Sequence, residues 1–346
     1  MCQYLSPYEQ EKVRELKEIR QKNNDFAWML CDYLNNTPRL ITKELMESVN
    51  PDNILPEETV YGVLLSGFCG LNTENNERDR QFADDYFRVA LKKLNPKQYA
   101  LNPFYQNIVI PEVQFGHWAL KYQKYMPYEA FIYKDYVLEP NFKEIPNIGF
   151  FDEEFKYPVV LENGHEWMAI KPSEIETSQT AIDSVTGNVI TFGLGLGYFA
   201  YMASIKDRVK SITVIEHDNQ VIQLFKQYIL PQFRHKEKVT IIAADAFEYT
   251  EKIMPQKNFD FAFVDTWHDV SDGLGMYFRM KKLERYNPNT KFLYWIEDSI
   301  LSNFRWQIFD WVVNHVKSYG EIIEYLSMQS LKKLAALETK FQIVNY

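Results

Sequence analysis

Gly193, Gly195 and Gly197 fall within five residues, in a chain of 346 residues that contains only 13 glycines. They follow a short apolar run at 189–192 and precede the apolar stretch that starts at Tyr198. A glycine loop in that place lets the backbone approach a ligand where any Cβ would collide. Three later apolar runs lead into acids: 212–215 into Glu216, 239–243 into Asp245, and 261–264 into Asp265. Glu216 stands 19 residues past Gly197, a spacing at which a carboxylate can accept both ribose hydroxyl hydrogens. Asp245, with Ala246 beside it, is placed to accept from an adenine amino group. His268 follows Asp265 by three residues, and an imidazole titrates in the range needed to take a proton from a reacting hydroxyl.

These side chains need a scaffold, and the pattern around them supplies one. From Pro172 onward, apolar runs of strand length alternate with helical spacing, and a fifth run at 292–296 ends in Glu297-Asp298. That alternation predicts a parallel, doubly wound α/β sheet, whose ligands bind at the carboxyl ends of the strands. A single acid at a strand end reads equally well as a turn residue. Several in register with a glycine loop read as a site. Ser173 and Glu176, three apart after Pro172, predict a capping box for the helix before the first strand.

Upstream the texture differs. Ser6-Pro7-Tyr8-Glu9 predicts a capped helix start, and helical spacing continues over 39–49, 57–68 and 77–94. From about Gln114 the pattern turns to β, and Asn163-Gly164 between apolar runs predicts a hairpin. The expected organisation is a helical domain over 1–110, a β-hairpin region over 111–171, and a Rossmann-like domain over 172–346. The helical part reads first as a helical domain with aromatic core residues, and alternatively as a cap that shapes a substrate pocket. His117 and His165 read as structural or surface residues rather than ligands, and Trp295 as core.

The glycine loop and the strand-end acids resemble the class I S-adenosylmethionine-dependent methyltransferases, over about 172–316. The resemblance implies a mostly parallel seven-stranded sheet and S-adenosyl-L-methionine as cofactor. Carried over by position, Gly193, Gly195 and Gly197 face the donor, Glu216 and its neighbour His217 lie at the ribose, and Asp245 with Ala246 at the adenine. Asp265 closes the donor site. That family usually has an acid two residues before the first glycine, where this chain has Thr191. The segment Asp265-Thr266-Trp267-His268 resembles the catechol-type O-methyltransferases, which implies Asp265 and His268 as catalytic residues, with His268 the general base. The same likeness places magnesium at Asp265 and Asp298-Ser299. Serine is a weaker neutral oxygen ligand than the usual Asn, so no metal site is assigned and magnesium stays open. Two other readings stand beside methyl transfer. An aminopropyltransferase shares the fold and follows a β-hairpin region, but that family's Asp-Ser-Ser-Asp-Pro after strand four is replaced here by Thr266-Trp267-His268. A non-catalytic S-adenosylmethionine-binding protein is the other. A dinucleotide site also fits Gly195-Leu196-Gly197-Tyr198-Phe199-Ala200, yet it leaves Asp245 and Asp265 without a role.

Composition narrows the partners. A net charge of -9 gives no global attraction to nucleic acid or anionic membrane, so a small-molecule acceptor is expected. Residues 184–205 carry no charge, but their glycines suit a strand and turn rather than a membrane span. Cys2, Cys31 and Cys69 are odd in number and outside any metal-ligand spacing, which suits free thiols. With no export signal at the N-terminus, the expected location is cytoplasmic. Ser271-Asp272-Gly273-Leu274-Gly275 reads as a turn or lid near the site, and 305–312 as an amphipathic packing helix.

Overall fold

The structure, a computed structural model, describes residues 5–337; Cys2 lies outside them. Helix α1 (Pro7–Asn36) starts from the capping box its sequence predicts. The Ser6 hydroxyl accepts from the Glu9 N–H, and the Glu9 carboxylate accepts from the Ser6 N–H. Helices α2 (Lys43–Val49), α3 (Glu57–Phe68) and α4 (Glu77–Phe82) follow. The helical spacing expected to run to residue 94 stops short. Strand β1 (Leu91–Lys93) instead pairs in parallel with a strand at 148–150, so tertiary pairing overrides local periodicity. Two short helices, α5 (Pro96–Ala100) and α6 (Pro103–Asn107), complete this part.

The β-hairpin region expected over 111–171 contains six strands, the β unit. It comprises β2 (Val113–Phe115), β3 (Trp118–Tyr125), β4 (Phe131–Leu138), β5 (Glu144–Phe150), β6 (Phe155–Glu162) and β7 (His165–Ala169). Together with β1 they form two sheets, β2-β3-β6-β7 and β1-β5-β4. Asn163 (φ 50°) and Gly164 (φ 85°) turn β6 into β7, as the Asn-Gly pair predicts.

The third part alternates α7 (Pro172–Ser184), β8 (Gly187–Phe192), α8 (Tyr198–Ser204), β9 (Val209–Glu216), α9 (Asn219–Leu224), β10 (Val239–Ala243), α10 (Ala246–Glu248), β11 (Phe261–Val264), α11 (Val270–Leu283) and β12 (Lys291–Tyr294). Its sheet is wholly parallel in the order β10-β9-β8-β11-β12. The expected seven strands are five among the described residues. After β12 the chain has helical rather than alternating apolar spacing, and it forms α12 (Glu297–His315), α13 (Tyr319–Leu326) and α14 (Met328–Ala336). The strands are apolar on both sides because both faces are covered. Val189, Val214 and Phe263 pack with α8, whereas Ile190, Phe192 and Val264 pack with α11 and α12. Among the described residues no helix is long and apolar enough to cross a membrane. Cys31 and Cys69 are free.

One polar knot ties the parts together. The Glu144 carboxylate on β5 accepts from Arg305 Nη1 at 3.1 Å, from Trp306 Nε1 at 2.9 Å and from the Ser302 hydroxyl. Arg305 is fully buried and also donates from Nε to the Leu326 carbonyl at 3.0 Å. Thus the helix read as simple amphipathic packing carries a buried cation on its inner face. Removing one partner strands the other charge in the core, which costs roughly 3–5 kcal/mol. Glu144→Ala is therefore expected to lower unfolding stability by about that amount. A urea midpoint that hardly moves would contradict the role given to the knot.

Candidate functional site

Parallel register decides where the candidate side chains meet. Phe192 pairs with Ile215 and with Val264, and Ala243 pairs with Glu216, so the segments after β8, β9, β10 and β11 leave the sheet at one edge. There they line one cavity of about 500 Å³, in the size range of small-molecule sites. Gly193, Gly195, Glu216, His217, Asp245, Ala246, Asp265 and His268 all belong to its wall. Gly197 does not.

The glycines are explained more by the protein than by a ligand. All three have positive φ, and a Cβ on Gly193 would sit 1.9 Å from the Asp265 carbonyl oxygen. A Cβ on Gly197 would sit 2.2 Å from the Phe225 ring. Gly193 therefore lets the loop lie against the end of β11, and Gly197 lets it pack on α9's continuation. Gly195 is the glycine whose open side is the cavity. A Cβ there would meet the Met168 thioether first, at 3.3 Å.

Glu216 is nearly enclosed, and its orientation is held by the backbone. One carboxylate oxygen accepts from the Leu194 N–H at 3.1 Å, the other from the Asp218 N–H at 2.8 Å. The carboxylate thus links the end of β9 to the glycine loop while keeping lone pairs for a ligand. His217 is exposed, with its Nδ1 3.2 Å from Glu216. Asp245 caps α10, accepting from the Glu248 N–H at 2.8 Å. Phe247, next along this wall, has the Arg279 guanidinium 4.0 Å from its ring centre.

The strand-four segment is split between wall and rim. Asp265 faces Glu174 and Glu216, and burial together with those two carboxylates pushes its carboxyl well above the ordinary range. Trp267 is buried. His268 is exposed, and its ring meets the Trp167 ring edge-on at 4.0 Å. The segment 271–275, expected as a turn or lid, is the first part of α11, capped by Asp269 with Asp272 in reciprocal bonds. Gly273 there passes close under the Trp267 ring.

Asp298 and Ser299 are not brought to Asp265. Ile296 takes a left-handed conformation (φ 45°) and turns the chain out of β12 into α12. Ser299 then donates to Asp135, and the Asp298 carbonyl accepts from the Tyr136 hydroxyl at 2.7 Å, both away from the cavity. The residues therefore do not fit the magnesium arrangement of the catechol-type resemblance. No three potential ligands cluster among the described residues.

Several wall residues escaped the sequence reading. Trp118, Trp167 and Met168 come from the β unit, and Lys171, Ser173 and Glu174 from the start of α7. The capping box expected from Ser173 and Glu176 does not form; the N-cap of α7 is Lys171, and Glu176 accepts from the Tyr99 hydroxyl at 3.0 Å instead. Glu174 is buried on the same stripe as Ser178 and Ile182, so an acid on an apolar helix face was the available signal. The Ser178 hydroxyl donates to it at 3.0 Å, and burial pushes its carboxyl up to about 7. Trp295, read as core, lines the cavity and donates to the Thr177 hydroxyl at 2.9 Å.

With the geometry in place, comparison with known proteins adds three findings. Residues 188–284 match the spermine/spermidine synthase domain family, a stretch under a third of the chain. Among solved structures the chain is similar to a spermidine synthase from Thermotoga maritima, at 17% identity over 40% of this chain and 48% of that one, with a TM-score of 0.31. It is also similar to a spermidine synthase in complex with the transition-state analogue AdoDATO, at 16% identity over 40% and 48%, TM-score 0.31. A Staphylococcus aureus protein assigned as a caffeoyl-CoA O-methyltransferase shares 21% identity over 43% and 68%, TM-score 0.26. The chain spans about half the length of the two spermidine synthases it matches. No curated protein matches it. The family match lies with the spermine/spermidine synthase domain rather than with the catechol-type enzymes.

Glu174 makes stability depend on pH. Its ordinary value is near 4.5, so between about 4.5 and 7 the folded chain keeps a proton that the unfolded chain releases. Stability therefore falls as pH rises through that window, by on the order of 3 kcal/mol. Glu174→Gln stays neutral, and its thermal midpoint is expected to exceed that of the native chain at pH 8 while matching it near pH 4. Equal midpoints at pH 8 would show that Glu174 is not held in a desolvated site.

Proposed function

We propose that this protein is a transferase that binds a sulfonium nucleoside of the S-adenosylmethionine type in this cavity and passes an alkyl group to a small-molecule acceptor. Methyl transfer from S-adenosyl-L-methionine is the primary reading. The observation that carries it is the convergence of Gly193, Gly195, Glu216, Asp245 and Asp265 on one cavity at the carboxyl edge of the parallel sheet. Glu216, oriented by two backbone N–H groups, would hold the ribose, and Asp245 with Ala246 the adenine. A sulfonium bound there supplies an electrophilic carbon that an acceptor displaces in line, leaving a neutral thioether. The chain's part is alignment, exclusion of water and removal of one acceptor proton. His268 stands at the rim beside Trp167, and Asp265 lies deeper; these are the two groups proposed to take that proton. A dinucleotide reading has less support because it leaves Asp245 and Asp265, both on this wall, without a role.

A second reading is aminopropyl transfer from decarboxylated S-adenosylmethionine. The family match over 188–284 favours it, as does a wall that includes Glu162, Glu166, Glu174 and Asp265. The two readings differ in product. Methyl transfer releases S-adenosylhomocysteine, and aminopropyl transfer releases methylthioadenosine.

Isothermal titration of the purified protein is expected to show saturable binding of S-adenosylmethionine. Glu216→Ala should weaken it by about tenfold or more, since a buried, oriented acceptor for two hydroxyls is lost. Saturable NADH binding without any sulfonium nucleoside would overturn the proposal. With an acceptor that supports turnover, His268→Gln is expected to lower kcat at least about tenfold while donor affinity stays unchanged. An unaltered kcat would remove His268 from the chemistry and leave Asp265.

A further inference from the structure

Ile296 stands in the left-handed region (φ 45°, ψ 35°) at the junction of β12 and α12. Among the described residues Asn53, Tyr128, Phe142 and Asn163 also take positive φ, and Ile296 is the β-branched one. Its Cβ and two branches crowd the following carbonyl in that conformation, where glycine or asparagine is the usual occupant. Strain of this kind persists only where both flanks over-determine the backbone, and it collects at binding sites. Both flanks are fixed here. Before the junction, the Trp295 N–H donates to the Val264 carbonyl at 3.0 Å, which ties that residue to the end of β11. After it, the Glu297 carboxylate accepts from the Tyr277 hydroxyl at 2.7 Å and from Lys332 Nζ at 2.6 Å.

The side chain that this junction holds is Trp295, half-buried and on the cavity wall. Its indole N–H donates to Thr177 Oγ1 at 2.9 Å, and that hydroxyl donates in turn to the Ser173 carbonyl at 2.7 Å. The backbone is thus tied to β11 and the ring edge to α7. Sheet order decides which part of a ligand the ring can meet. Glu216 and Asp245 stand at the ends of β9 and β10, on one side of β8, whereas Trp295 follows β12, two strands beyond β8 on the other side. From β9 to β12 is three strand spacings, about 14 Å. A nucleoside held by its ribose at Glu216, with its adenine toward β10, has only the arm beyond its 5′ carbon left to reach Trp295.

We propose that Trp295 binds the sulfur-bearing arm of the donor, and that Ile296 is kept left-handed as the positioning residue that holds the indole on the cavity wall. This rests on the sulfonium reading of the preceding section and gives the arm a partner that the reading lacks. An indole surface offers contact to methylene groups and sulfur whatever the charge of the ligand. Donor and thioether product share the arm, so both gain that contact. Adenosine has the same base and ribose without the arm, so it does not.

The test is isothermal titration of the native chain, Trp295→Ala and Thr177→Val with S-adenosylmethionine, S-adenosylhomocysteine and adenosine. In Trp295→Ala the affinities for the two arm-bearing ligands are expected to fall together by about tenfold, with adenosine within about twofold of native. Thr177→Val leaves every side chain of the cavity wall in place and removes the acceptor of the indole N–H. It is expected to show the same split with a smaller loss, about threefold. A Trp295 that serves only as core would weaken all three ligands alike or none of them, and either result, in whichever variant folds, overturns the arm contact. The part given to Ile296 is read from thermal midpoints. Ile296→Gly is expected to melt at least about 1 °C above Ile296→Ala, because only glycine relieves a left-handed backbone, whereas at ordinary positions alanine is the more stable. The opposite order removes Ile296 from the proposal. Native affinities for S-adenosylmethionine and S-adenosylhomocysteine no higher than that for adenosine would overturn the arm contact and leave the nucleoside cavity standing. If none of the three binds the native chain, the sulfonium reading falls and this inference falls with it.

Discussion

Parallel pairing sets Phe192 opposite both Ile215 and Val264 and sets Ala243 opposite Glu216, and the rest of the site follows from that alignment. Four chain segments must leave the sheet at the same height, and the backbone at that edge becomes crowded. Gly193 lies so close to the Asp265 carbonyl that any side chain there would overlap it. The glycine loop is therefore first a packing solution at the junction of β8 and β11. What it leaves open toward the cavity lies chiefly at Gly195.

Crowding at the edge also has an electrostatic cost. Asp265, Glu174 and Glu216 are drawn into one enclosure, and burial disfavours the charged forms of Asp265 and Glu174. Glu216 accepts from two backbone N–H groups, whereas Glu174 accepts from one hydroxyl. Such a site weakens the fold as pH rises. Strain of this kind is common where binding rather than stability shapes the residues.

The cavity is not built by the parallel sheet alone. Trp118, Trp167 and Met168 reach it from the β unit, and α7 supplies Lys171 and Glu174. The register of β6 with β7 shifts between Val160 and Leu161, pairing them with Met168 and Glu166 and leaving Trp167 between. An irregularity of that kind re-aims a side chain, and here the Trp167 ring meets His268. Farther away, the Glu144–Arg305 knot fastens β5 to α12 and holds the β unit to the helices behind the sheet.

Much of this was legible in local pattern. Strand lengths near 189–192, 239–243 and 261–264, the Ser6–Glu9 capping box and the Asn163-Gly164 turn depend on neighbours in sequence, and they appear where the residues indicate. Gly193, Gly195, Glu216, Asp245 and Asp265 were visible as candidates because strand ends in a parallel sheet share one edge. Other features hung on distant partners. Residues 91–93 have helical spacing but pair with β5, and 271–275 look like a glycine turn but are capped into α11 by Asp269. Asp298 looked like a metal ligand until Ile296 turned it away. Glu174 was hidden because its meaning depends on Asp265, a residue 91 positions later that comes near only across the folded cavity. The amino-acid sequence by itself determined the parallel α/β core and the glycine-and-acid edge, since periodicity and turn chemistry act over a few residues. The tertiary structure alone decided which carboxyls face each other and which aromatic rings close the cavity. Burial and charge pairing are properties of neighbours in space.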